Sequence, residues 1–229
     1  MKARHPSLAE LQLAVDPDAW SAAGFTVAAG RSSVGGIRLR FVAGAGSATE
    51  DGGPGTPPSG GLVGWTISGL DAGAAPDGLP TRHDQLPLRE PGAAPAHPNG
   101  VSGIDHLVVF SSDLDRTIAA FESVGLRCRR VREAEAPDGS PMRQAFFRLG
   151  TVIVEIVGVP PHHAGASGSR LWGITFICSH LDDAVAELGE GELVGRLRDA
   201  VQPGRRIVTF HRRAGLGLPV ALISPEPVR

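Results

Sequence analysis

The chain has 229 residues, 41% hydrophobic and 20% charged, with a formal net charge of −2 and a pI near 6.4, enough for one or two domains with a sizeable core. The near-neutral charge and scattered arginines exclude a nucleic-acid binder held by phosphate contacts, and no apolar run has the length that spans a membrane. Cys128 and Cys178 are too few and too far apart for a disulfide framework or a CxxC metal site, and no leader-like apolar stretch follows Met1, so the expectation is a cytoplasmic protein.

In chain order, residues 10–15 read as a strand, 16–24 as a helix, and 25–28, 37–42 and 62–68 as three strands, a degenerate βαβββ module within 1–70. The Gly-, Pro- and Ser-rich stretch 44–61 reads as a loop inside it, and 71–100 as a linker of similar composition. The clearest module follows at 101–159. Its strand Gly103-Ile104-Asp105-His106-Leu107-Val108-Val109-Phe110 leads into Ser111-Ser112-Asp113, which offers helix caps. Leu114, Ile118, Phe121 and Val124 then keep helical spacing up to Gly125, and strands are expected at 127–132, 143–149 and 151–157. The same order returns at 170–226, with a strand at 171–177, a helix at 179–188 and strands at 194–198, 206–211 and 219–223. The fold class is α+β: three βαβββ modules, the first degenerate, with the second and third forming one domain over 101–229.

Two residues stand out. Alternation along the strand places His106 opposite Leu107 and Val109, which pack on the helix, so His106 faces away from the core. Glu155 interrupts the run Val152-Ile153-Val154 and Ile156-Val157, where an ionised carboxylate is costly unless paired or bound to a cation. Either both are ligands of a divalent metal, or Glu155 pairs with Arg148 or Arg143 and His106 is a hydrogen-bonded cleft residue. Elsewhere, Gln202-Pro203-Gly204-Arg205-Arg206 reads as a solvated turn, and His162-His163 as part of a surface loop. No nucleophile elbow, P-loop or dinucleotide fingerprint occurs.

The strand carrying Asp105-His106-Leu107-Val108-Val109, the following Asp113-Leu114-Asp115 and the strand ending Val154-Glu155-Ile156 resemble the vicinal oxygen chelate (VOC) superfamily of glyoxalase-, bleomycin-resistance- and dioxygenase-like proteins. The resemblance implies paired modules curving around a cleft, with metal ligands on the first and fourth strands of each module. His106 and Glu155 match two such positions, as metal ligands and catalytic groups. The third module offers Gly173 and Leu222 at the corresponding places, and the first offers Glu10 and Thr66, so a fuller metal set is His106, Glu155 and Glu10, with Gln12 nearby. Iron, manganese, nickel or zinc would suit it. Trp172, Gln144, Arg143 and Thr175 are the candidate substrate-binding residues. The implied function is binding or transforming a small organic molecule, by metal-dependent lyase, isomerase or dioxygenase chemistry. The alternative is a non-catalytic, drug-sequestering binder. The short connection pairs modules two and three, leaving the first for their edge or for a homodimer.

Overall fold

The computed structural model describes residues 5–42, 60–71, 73–84, 96–135, 139, 141–159 and 168–227. The loop expected at 44–61 falls almost wholly outside them, as do His162 and His163.

The chain opens with β1 (Ser7–Ala14) and α1 (Pro17–Ala22). The Asp16 side chain caps the helix by accepting from the Asp18 N–H, and Pro17 fills the first helical position, where a missing N–H costs nothing. Gly24 ends the turn with φ +81°, and a β-carbon there would lie 2.8 Å from Asn99 Cβ, so the site takes only glycine. With β2 (Arg31–Val34), β3 (Ile37–Phe41), β4 (Gly61–Ser68) and β5 (Thr81–Asp84) the strands form a five-stranded sheet, ordered β2-β3-β1-β4-β5.

Residues 101–223 build a second, eight-stranded sheet. Its first module is β6 (Val101–Ser111), α2 (Leu114–Ser123), β7 (Arg130–Glu135), β8 (Pro141–Leu149) and β9 (Val152–Gly158). The next is β10 (Ser169–Cys178), α3 (Leu181–Leu188), β11 (Arg198–Asp199), β12 (Arg206–Thr209) and β13 (Val220–Ile223). Each first strand lies parallel to its own module's last strand, β6 to β9 and β10 to β13. The two first strands pair antiparallel and join the modules into the order β11-β12-β13-β10-β6-β9-β8-β7. Asp113 caps α2 as its position predicts, accepting from the Arg116 N–H at 3.0 Å.

The α+β class and the repeated module stand, while some strands lie elsewhere than expected. Residues 25–28 make only an isolated bridge, Ala28 to Arg31, and the strand follows at Arg31. The one expected at 127–132 begins at Arg130, and that at 194–198 shrinks to a bridge at Val194 and the two residues of β11. More consequentially, β4 is not the last strand of the first module. The strand parallel to β1 is β3, and β4 pairs antiparallel with β1 just as β10 does with β6. β4 therefore opens a much reduced unit of its own, whose last strand β5 lies parallel to it. β5 arises from within the expected linker. The Trp65 indole N–H donates to Thr81 Oγ1 at 2.7 Å and Leu79 is 1% exposed, anchors that the surrounding Pro and Gly composition conceals.

One apolar core joins the two sheets. Trp20 of α1 packs edge-on against Phe176 of β10 at 6.0 Å, and Trp65 of β4 against Phe121 of α2 at 6.2 Å. Leu11, Leu13, Leu107 and Val109, all fully buried, belong to this core. The helix-bearing faces thus oppose one another and the alternate side chains of each sheet face outward. Among the described residues no helix is long and apolar enough to cross a membrane.

A polar clamp closes the same interface. Asp77, at φ +50°, accepts from Arg116 Nε and Nη2, both at 3.0 Å, and from Thr117 Oγ1 at 2.6 Å. Burial pushes its carboxyl up, and these donors outweigh it, holding the group below its ordinary value. Asp77→Ala is expected to cost about 2 kcal/mol in urea unfolding, since it removes the charge-assisted hydrogen bonds from Arg116 and Thr117 and leaves alanine at a left-handed residue. Asp77→Asn, which tolerates that backbone, should cost less.

Candidate functional site

The outward face of the eight-stranded sheet carries a polar line across five neighbouring strands. At its centre is His106 on β6. Thr175 on β10 stands directly across from it, with His106 Nε2 and Thr175 Oγ1 3.0 Å apart. On the other side β9 brings Glu155 opposite Val108, and its Oε2 lies 3.8 Å from His106 Nε2. The Gln144 amide of β8 donates to Glu155 Oε1, and Arg132 Nε of β7 donates to Gln144 Oε1 at 2.5 Å. That last bond fixes which end of the amide faces the carboxylate.

Asp105 completes the cluster by an irregularity. Neighbours on a regular strand point to opposite faces, but the β6–β10 register slips between Thr175 opposite His106 and Phe176 opposite Ile104. Asp105 is the extra residue of this bulge, which re-aims its side chain. Its Oδ2 lies 2.7 Å from His106 Nδ1 and its Oδ1 2.7 Å from Arg205 Nη2. Burial raises the Asp105 carboxyl, and the hydrogen bonds from His106 and Arg205 more than reverse this, so it is held below the usual range. An ionised carboxylate only accepts, hence Nδ1 carries the proton. In the neutral ring Nε2 is then a free base that accepts from Thr175.

Arg205 belongs to a turn read from sequence as solvated, yet it is 5% exposed and its Nε donates to the Ser224 carbonyl at 2.7 Å. The carboxylate it binds is the protein's own. Arg206 beside it is exposed and pairs with Asp182.

The other candidates divide. Trp172 lies on the outward face and stacks on Phe110, centroids 4.5 Å apart and planes inclined by 21°, with the Arg170 guanidinium 5.1 Å from the Phe110 ring. Arg143 does not join the line: in register with Glu133, it turns to the other face and pairs with Glu133 and Asp115. Leu222 is fully buried opposite Phe176 and Val208, and Ala221 is the residue across from Thr175. A β-carbon on Gly173 would lie 2.9 Å from the Pro219 carbonyl oxygen, leaving no room for a side chain. Glu10 is on the other sheet, its carboxylate bonded to Arg38 at 3.2 Å and Arg40 at 3.0 Å.

These placements decide the fit of a divalent ion. His106 Nε2 and Glu155 Oε2 are two suitable donors, but Thr175, Gly173 and Ala221 supply no third charged or imidazole ligand, Asp105 lies on the Nδ1 side of the His106 ring, and among the described residues no three His, Cys, Asp or Glu are grouped so as to hold a metal ion. Resident metals in proteins ordinarily take three or more protein ligands. The described donor set does not fit such a group.

No protein-family model and no curated protein sequence matches the chain. Solved structures do. A triple mutant of 4-hydroxymandelate synthase from Streptomyces coelicolor aligns over 99% of this chain and 94% of its own at 16% identity, TM-score 0.60. Methylmalonyl-CoA epimerase from Mycobacterium tuberculosis aligns over 56% of this chain and 91% of its own at 19% identity, TM-score 0.45. The Streptomyces coelicolor epimerase in complex with methylmalonyl-CoA and ammonium aligns over 56% and 98% at 18% identity, TM-score 0.43. Repeated βαβββ units sharing a mixed sheet are the fold that this chain has in common with the 4-hydroxymandelate synthase structure. That fold is the vicinal oxygen chelate fold.

Proposed function

We propose that the chain binds a small organic molecule on the outward face of the eight-stranded sheet and moves a proton on it, with His106 and Glu155 as the two acid–base groups. The supporting observation is the Asp105–His106–Glu155 array. Asp105 holds His106 in the tautomer whose Nε2 accepts a proton and stabilises the imidazolium that forms. Glu155, oriented by Gln144, stands 3.8 Å away as the second group, close enough for both to reach one ligand. The reaction class is proton abstraction beside a carbonyl, in which one of the two groups removes the carbon-bound proton as a base and, as the conjugate acid so formed, exchanges it with solvent and returns a proton to the same carbon. The Phe110–Trp172 stack gives the ligand a planar apolar wall.

The test is solvent deuterium exchange. A panel of small ketones, 2-oxo acids and thioesters is followed by NMR in deuterium oxide with the wild-type protein, His106→Gln and Glu155→Gln. Exchange of at least one compound by the wild type, falling about 10²–10⁴-fold in each variant, is the expected result. Thermal stabilisation by a ligand with no exchange anywhere in the panel would favour the drug-sequestering alternative. Stoichiometric iron, manganese, nickel or zinc that is lost in both variants would overturn the metal-independent reading.

A further inference from the structure

Strand alternation sorts the charges of β7 by side. Glu133 is in register with Arg143, on the side where Arg143 also meets Asp115, while Arg130 and Arg132 point the other way, onto the face that carries Glu155. On β8 that outward face carries Gln144, Phe146 and Arg148. Phe146 stands directly between Arg130 of β7 and Glu155 of β9. Arg148, two residues further along β8, is therefore a diagonal neighbour of both, at roughly 7–8 Å between backbones and within reach of a long side chain.

Arginines thus edge the acid–base pair on its β7–β8 side. Arg132 is held in place: its Nε donates to Gln144 Oε1 at 2.5 Å and its Cζ lies 5.5 Å from the centre of the Phe146 ring. Arg130 and Arg148 are exposed, and neither side chain makes a hydrogen bond or ion pair among the described residues. Glu155 is bonded by the Gln144 amide instead of by Arg148, so its charge leaves that guanidinium to other partners. Protection of an edge strand against further pairing accounts for charge on β7 but not for its sorting, since Glu133 and Glu135 serve that purpose equally. Charges of one sign gathered beside a site draw in ligands of the other.

We propose that Arg148 and Arg130 select the ligand by charge: the carbonyl compound at His106 and Glu155 carries a carboxylate or phosphate on a short chain, and its oxygens accept from these two guanidiniums. That placement rests on the acid–base reading of the His106–Glu155 pair. A guanidinium edge matches either oxyanion with paired N–H donors. Glu155 repels an anion set directly over it, so the charged group lies toward Arg148, with the Phe146 ring as an apolar floor between the charge and the reacting carbon.

Two matched pairs test this with the full chain at low ionic strength: 6-oxoheptanoate against heptan-2-one, and dihydroxyacetone phosphate against dihydroxyacetone, each followed by calorimetric titration and by deuterium exchange. At least one anion should bind saturably, with Kd raised about three- to fivefold in Arg148→Gln and in Arg130→Gln and about tenfold or more in the double variant. Added salt should weaken it. Its uncharged counterpart should bind less tightly, and alike to wild type and variants. The tighter of the two anions decides between carboxylate and phosphate. In exchange, the substitutions should raise KM and leave kcat within about twofold. Both side chains are exposed, so the variants should melt with the wild type. Arginine-dependent binding without exchange supports the charge selection and sinks the acid–base reading. Exchange with no preference for the anion, or anion binding that the double variant retains, overturns the charge selection and leaves that reading standing. Neither binding nor exchange of any of the four compounds overturns both.

Discussion

Asp105→Asn is expected to slow proton exchange by roughly 10³–10⁴-fold although the side chain touches no ligand. An asparagine in the bulge can turn its amide N–H₂ toward His106 Nδ1, which then becomes the acceptor. The ring proton moves to Nε2, and the base that should face the ligand is lost. Asp105 is thus a positioning residue, and its role shows in the ¹⁵N shifts of His106, where the wild type should report a protonated Nδ1 and the variant a protonated Nε2. The same substitution leaves Arg205, 5% exposed, beside a neutral amide, a loss of about 3 kcal/mol by analogy with broken buried pairs. The pH dependence carries a definite sign. The folded-state Asp105 carboxyl lies below its ordinary 3.8, so its ionisation favours the folded state fully above that value, and the benefit is lost as pH falls through the lower folded-state value. Urea unfolding should show a constant stability gap between wild type and variant from about pH 5 to 7, narrowing below about pH 4. Exchange within tenfold of wild type together with an unchanged His106 tautomer would remove Asp105 from the mechanism.

What the sequence made legible, and what it did not, follows the range of the interactions. His106 and Glu155 are visible because each departs from a local pattern: one faces away from Leu107 and Val109, the other interrupts an apolar strand. The α2 cap at Asp113 is visible for the same reason. Asp105 is hidden although it adjoins His106, because its direction depends on a register slip against β10, decided about seventy residues away along the chain. Arg205 is hidden in a Pro-Gly turn whose solvation is cancelled by Asp105 and the Ser224 carbonyl. The place of β4 is ambiguous in principle. Its alternation of Trp65 and Ile67 inward with Thr66 outward is the same whether it closes the first module or opens another, and only pairing with β1 decides. Glu10 illustrates both sides: its position across from a threonine does repeat that of His106, but the repeat occurs on a different sheet, where parallel β3 supplies two arginines instead of a shared metal.

Trp20→Ala should be the most destabilising single substitution in the core. The indole is fully buried and packs on Phe25 at 4.8 Å, Phe41 at 5.6 Å and Phe176 at 6.0 Å, so it belongs to α1 yet touches a strand of the other sheet. Its N–H donates to the Leu216 carbonyl at 3.1 Å, a second tie to that half of the chain. Large aromatic truncations in cores cost about 3–5 kcal/mol, a substantial share of the roughly 5–15 kcal/mol that holds a domain folded. For a chain of this length that lowers the melting temperature by roughly 6–20 °C. Trp20→Phe keeps ring contact and gives up the hydrogen bond, and should recover more than half of the loss. Because Trp20 and Phe176 meet across the sheets, a double-mutant cycle on the pair should show a coupling of about 0.5–3 kcal/mol. Calorimetry then has two outcomes. A single transition that shifts as a whole in Trp20→Ala means that the two sheets melt as one cooperative unit around their shared core. Two separable transitions, with only the earlier one moved, would mean that the five-stranded sheet folds as an independent body and that the interface contributes little.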